Sequence, residues 1–136
     1  MTTASPPKLF DALRTDPKKV AEGVWIQHPT TKDRFQRRRR WCAEHSRAYL
    51  QACADYEKAH GEGSSTSPEG QDYVDAVSMA AGLIVNWEIH NDPKRPYDAA
   101  AMAAALLDPE LIELRRWLDL HAEIRADFRP DHASGN

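Results

Sequence analysis

Six histidines, two cysteines and a set of helix-borne carboxylates are the residues here that can hold a metal or move a proton, and their spacing decides which chemistry is open to them. His28, His45, His60, His90, His121 and His132 include no pair four apart on a helix and no flanking cysteine pair. Zinc sites generally supply at least one such local pair, so no metal site is expected. His45 and His121 fall on apolar helix faces and read as hydrogen-bonded core histidines. Asp55, Glu57, Asp72, Asp75 and Glu88 fall on polar faces, where solvation accounts for them without the shifted pKa that acid–base work needs. No Gly-x-Ser-x-Gly elbow, phosphate loop or dinucleotide fingerprint occurs. His60-Gly61-Glu62-Gly63-Ser64-Ser65 has the composition of a linker. No catalytic, cofactor-binding or metal-binding residue is therefore expected, and the chain reads as a binding protein with no enzyme activity.

The concentrated charge lies in Arg37-Arg38-Arg39-Arg40, followed by Trp41. Arginines beside an aromatic ring can grip nucleic-acid phosphates. In a strand, however, successive side chains alternate faces, so two of the four can pair with acidic residues while their stems cover apolar surface. The formal net charge of -3 also gives no general attraction to phosphate. The block is thus assigned to the fold or to an acidic protein partner ahead of nucleic acid, with Arg38 and Arg40 as candidate partner-binding residues.

These residues must be positioned by a chain of 136 residues, 41% hydrophobic and 29% charged, a length and balance that fit one folded domain. No apolar run is long enough to span a membrane, and the first residues lack a basic segment followed by an apolar core, so a cytosolic location is expected. Cys42 and Cys53 lie eleven residues apart on one predicted helix. At 1.5 Å per residue that is roughly 16 Å, too far for a disulfide, and both read as small buried apolar side chains.

Residues 1–22 are expected to be partly ordered, with Leu9-Phe10-Asp11-Ala12-Leu13 forming one or two helical turns before Asp16-Pro17. A single domain spans 23–129. Val24-Trp25-Ile26-Gln27-His28 and Arg34-Phe35-Gln36-Arg37 flank a polar turn, which predicts a β-hairpin over 23–40. The spacing of Trp41, His45, Ala48, Tyr49, Ala52, Cys53 and Tyr56 predicts a helix over 41–60. A Gly/Ser loop follows and ends in the capping signal Ser67-Pro68-Glu69. Tyr73, Val77, Ala80, Ile84 and Trp87 fall on one line, widened by Val74, Ala81 and Val85, so the next helix is expected to run to about Trp87 at the centre of a bundle.

Asp98 is placed to cap the Ala-rich helix Ala99 to Leu107, whose small side chains allow close approach of a neighbouring helix. Asp108-Pro109 forms a second cap, and a last helix presents Leu111, Leu114, Leu118 and His121 and ends near Phe128. Residues 130–136 are expected to be a disordered tail. The resulting fold class is mainly α (α+β), an N-terminal β-hairpin followed by a bundle of about four helices over 41–129.

The order of these features resembles a known family. Glu22-Gly23-Val24-Trp25-Ile26, Asp33-Arg34-Phe35-Gln36-Arg37-Arg38-Arg39, Leu83-Ile84-Val85-Asn86-Trp87-Glu88, Pro96-Tyr97-Asp98-Ala99-Ala100-Ala101, Leu106-Leu107-Asp108-Pro109-Glu110-Leu111 and Ala126-Asp127-Phe128 look like the tail assembly chaperones of long-tailed bacteriophages. The likeness covers roughly residues 20 to 128. In that family a gVWv strand precedes an rFkvrr strand, a helix ends in a DWE-like turn, and a PYs segment leads into an Ala-rich helix and a DPE cap. Asn86 stands where Asp is common and Asp98 where Ser is common, and both still suit turn and cap roles.

The resemblance implies a protein in the cytoplasm of the infected bacterial host that coats the tape measure protein, helps tail tube protein subunits polymerise around it, and is then displaced. Absence from the mature virion follows from that role. The implied partners are the tape measure protein and the tail tube protein, with possible self-association and no cofactor, membrane or nucleic acid. A tape measure protein exposes long apolar helical stretches, so its chaperone should offer a helical groove of small and aromatic residues. Ala100, Ala103 and Ala104 beside Trp117 are the candidate surface, against the alternative that they only fill the protein's own core. Two other readings stay open: a head–tail or tail component retained in the virion, and a small nucleic-acid-binding regulator using Arg37 to Arg40.

Overall fold

The alternation of Val24-Trp25-Ile26-Gln27 and Arg34-Phe35-Gln36-Arg37 turns Ile26, Phe35 and Arg37 inward and makes the two segments strands β1 (Val24–Gln27) and β2 (Arg34–Arg37). They pair antiparallel, with Ile26 opposite Phe35. The computed structural model describes residues 9–124 and 126–129. Those residues form a mixed α+β structure, with five α-helices and one three-stranded antiparallel sheet in the order β1-β2-β3.

The third strand is where the sequence expectation fails. A helix was expected to run from about Tyr73 to Trp87, but the helix starting at Pro68 stops at Ser78. Met79–Leu83 follows as a π turn, and Ile84–Glu88 is β3, paired antiparallel with β2 through Phe35 opposite Trp87. The segment is a short apolar run rich in β-branched residues between Gly82 and the Asn91-Asp92-Pro93 break. Helical spacing alone cannot separate such a run from a buried strand. Gly82 also disfavours helix, and β2 offers Ile84 and Trp87 an inward face. Both are buried there.

The described residues also form five helices. Helix α1 (Pro17–Glu22) is capped by Asp16, whose carboxylate accepts from the Lys18 amide. Helix α2 (Ala43–His60) begins two residues later than expected because Trp41 sits at φ 64, outside helical geometry. Helix α3 (Pro68–Ser78) starts at its expected cap, the Ser67 hydroxyl accepting from the Gly70 amide at 3.0 Å. Helix α4 (Ala99–Leu107) and helix α5 (Ile112–Ala122) are separated by a 3-10 turn at Pro109–Leu111. α5 ends before the expected Phe128, which belongs to a separate 3-10 turn, Ala126–Phe128. The tail at 130–136 and the first eight residues lie outside the described residues.

The core gathers Ile26, Phe35, Met79, Leu83, Ile84 and Trp87 from the sheet and the π turn with Met102, Leu106 and Leu118 from α4 and α5. Gly82 lets α2 lie directly on the π turn. A Cβ there would come within 2.7 Å of the Ala48 Cβ and of the Glu44 carbonyl oxygen. Among the described residues no helix is long and apolar enough to cross a membrane.

Candidate partner-binding groove

Helix α4 reads Ala-Ala-Ala-Met-Ala-Ala-Ala-Leu-Leu, nine residues without one polar side chain. Alanine carries the highest helix propensity, so the segment is helical on local grounds, and Asp98 fixes where it starts by accepting from the amides of Ala100 at 3.0 Å and Ala101 at 3.2 Å. Met102 and Leu106 face the core and are buried. Helical periodicity then turns Ala100 and Ala104 to the other side, where both are exposed.

Three contacts hold α4 in place. The Tyr97 hydroxyl donates to the Ala80 carbonyl in the π turn, and its ring meets Trp87 edge-on at 5.0 Å. Burial, with a smaller contribution from Asp98, raises the Tyr97 pKa, so the hydroxyl stays a donor across the physiological range. At the other end, Arg115 on α5 donates to the Asp72 carboxylate at 2.6 Å and to the Leu106 carbonyl at 3.4 Å, tying α5, α3 and the end of α4 together. Burial raises the pKa of Asp75, one turn along α3, against the opposing pull of Arg115 and Arg40.

Between α3 and α4 runs a groove of about 430 Å³ lined by Tyr73, Val77, Ala81, Ala99, Ala100, Ala103, Ala104 and Leu107. No charged side chain lines it. The three alanines picked out from the sequence come together here, and the residues missed were Tyr73 and Val77 on the facing helix and Ala81 on the π turn that follows it. Their signal was present in the sequence as the outer edge of the apolar stripe on α3. The small side chains of α4 leave the α3–α4 seam open.

Trp117 is placed elsewhere. It does not line the groove but packs against the sheet, with ring centroids 4.8 Å from His28, 6.0 Å from Phe35 and 4.6 Å from His121. The pairing of the alanines with Trp117 expected from the sequence is thus replaced by Tyr73 as the aromatic member of the groove. The reason lies in α5, where Trp117 and Leu118 both turn toward the protein.

The arginine block divides. Arg37 points into the protein with its side chain fully buried, paired with Asp127 at 2.5 Å and lying over the Phe128 ring at 4.9 Å. Burial lowers its pKa and Asp127 opposes that shift, so the guanidinium keeps its charge. Arg40 lies 3.2 Å from Asp119 and 2.7 Å from Glu123, the latter an ion pair without straight hydrogen-bond geometry at Nε. Both contacts are to α5 or its end, so Arg40 is committed to the fold. Arg38 and Arg39 are half-buried, and the Arg38 amide donates to the Leu83 carbonyl at 2.7 Å. Trp41, which follows them, is 49% exposed, its amide donating to His45 Nδ1 at 3.0 Å. His45 is buried, and desolvation together with nearby Arg40 lowers its pKa to about 4.

Among the described residues no three histidines, cysteines or carboxylates come together as a metal-binding group. Cys42 is buried and Cys53 half-buried, both free thiols. Burial raises the Cys42 pKa, which leaves the thiol protonated and unreactive. No family model, curated protein or solved structure matches this chain.

Proposed function

We propose that this protein binds apolar helical segments of a partner in the groove between α3 and α4, acting as a phage tail assembly chaperone that keeps the tape measure protein soluble until tail tube subunits surround it. The observation that carries the reading is the groove itself. It combines a helix with no polar side chain, a lining with no charge, and two exposed alanines in the middle of the seam. Burial of apolar surface drives such helix-in-groove binding, and small residues allow the close approach it needs. The architecture in this reading is a β-hairpin joined by a third strand and followed by helices, with the binding function on the helical half.

The fate of the arginines supports a protein partner over nucleic acid, because Arg37 and Arg40 are occupied by Asp127, Asp119 and Glu123. Binding is the role, with no catalysis, and its place is the cytoplasm of the infected host. Co-expression tests the reading. The cognate tape measure protein should be soluble with this chain and insoluble without it, the complex should persist in high salt, and purified virions should lack the chain. Solubility independent of this chain, or stoichiometric recovery of the chain from virions, contradicts the proposal.

A further inference from the structure

A second cleft lies where the loop between β1 and β2 meets the start of α5. It holds about 540 Å³, and its apolar side is Leu111, Ile112 and Leu114. Leu111 and Ile112 are 40% and 42% exposed, large aliphatic side chains left at the surface at the head of a helix. Its other side is acidic, with Asp33 from the loop and Glu110 and Glu113 from the turn and helix lining the same cleft. None of the three forms an ion pair among the described residues, and no lysine or arginine lines the cleft to offset them.

The remaining polar groups are already used by the fold. The His28 Nδ1 accepts from the amides of Thr30 at 3.1 Å and Thr31 at 3.2 Å, so that nitrogen is taken up by the loop itself. Asp33 accepts from the His90 amide at 2.7 Å, which holds the carboxylate in place without neutralising it. The cleft therefore presents an apolar floor under a field of one sign. Asp33, Glu110 and Glu113 give this rim a negative potential, which a cationic side chain complements.

We infer that this cleft is a second docking site, separate from the α3–α4 groove, for a basic amphipathic segment of a partner protein: a large aliphatic side chain seated on Leu111 and Ile112, with lysine or arginine on either side facing Asp33, Glu110 and Glu113. Nucleic acid and anionic membrane are repelled by the same carboxylates, and an acidic peptide meets like charge. The apolar contact supplies affinity, and the charges select the partner and speed its arrival.

The test uses the full chain and two fluorescein-labelled fourteen-residue peptides, one built of leucine and lysine at helical spacing and its twin with glutamate for lysine. The lysine peptide should bind and weaken by about tenfold between low and high salt, while the glutamate twin should not bind. The double variant E110K/E113K should weaken the lysine peptide by about tenfold or more, and Leu111→Ser should weaken it with less loss of salt dependence. The control E22K/E62K makes the same change in net charge on exposed residues outside the cleft and should leave binding within about threefold. Thermal melts establish that each variant is folded. Equal binding of both peptides, equal weakening by the control, or loss of binding on Ala104→Glu in the other groove overturns the inference. So does a concentration-dependent dimer that E110K/E113K dissociates, since a second copy would then be the occupant.

Discussion

Arg37 to Arg40 and Ala99 to Ala105 are the two most biased stretches of the chain, and their fates run against their polarity. Two of the four arginines turn inward to carboxylates, with the Arg37 side chain fully buried. The alanine helix, which has no polar atom beyond its backbone, leaves Ala100 and Ala104 at the surface. Burial is decided by what each stretch can meet. Arg37 meets Asp127, the Ile124 carbonyl and the Phe128 ring, which together replace part of its hydration. Among the described residues, the outer face of α4 borders the apolar wall of Tyr73, Val77 and Ala81 and leaves Ala100 and Ala104 exposed.

The comparison can be broken first at the core that both stretches lean on. Trp87 is 8% exposed, and its indole donates to the Arg95 carbonyl at 3.1 Å. Trp87→Ala should cost about 3–5 kcal/mol by chemical denaturation. An unchanged unfolding midpoint would mean that the sheet does not hold the core together.

The arginine side comes next. Arg37→Ala should cost about 3 kcal/mol, through the lost ion pair and the emptied space over Phe128, whereas Arg39→Ala should stay within about 0.5 kcal/mol. Equal costs would show that the block acts as one charged patch and not as separate structural positions. The Asp127 carboxylate is partly exposed and can be resolvated, so Asp127→Asn should cost less than Arg37→Ala.

Acid provides a related probe of the arginine side, since His45 accepts from the Trp41 amide next to the block. Its pKa is lowered from 6.5 to about 4, so the folded state favours the neutral ring. Stability from this group is fully present above pH 6.5 and falls as pH drops toward 4, by an amount on the order of 2–3 kcal/mol. His45→Gln should flatten the stability profile in that window. A variant with the same slope as the parent would locate the acid sensitivity elsewhere.

The smallest stability effect is expected on the alanine side. Ala104→Glu changes an exposed helical position and should alter stability by no more than about 0.5 kcal/mol while weakening partner binding. A large loss of stability would place Ala104 in the protein's own packing.

Much of this contrast could be read before the structure, and the failures share a cause. Caps are local, so Ser67-Pro68 and Asp98 marked their helices correctly, each side chain accepting an amide two or three residues on, whereas Asp108-Pro109 caps the 3-10 turn that precedes α5 and not α5 itself. Asp16-Pro17 carries the same signal and opens α1, a helix not assigned from the sequence. What local patterns do not contain is the partner. Ile84–Glu88 became a strand because β2 lies beside it, and Arg37 became buried because Asp127, 90 residues away in the chain, closes over it. Trp117 shares a helical spacing with the rest of α5, but the neighbour that claims it, Phe35, lies on the sheet. The groove was half legible, because Ala100, Ala103 and Ala104 follow from one helix whereas Tyr73 and Val77 come from another.

The most direct measurement places a photo-crosslinking residue in the groove. Ala100→p-benzoylphenylalanine, irradiated in cells that also make the cognate tape measure protein, should yield a covalent adduct of the two proteins. The same residue at position 120, where Leu120 is 64% exposed on α5, should yield none. Adducts from position 120 but not from position 100 would contradict the assignment of the α3–α4 groove as the surface that binds apolar helices.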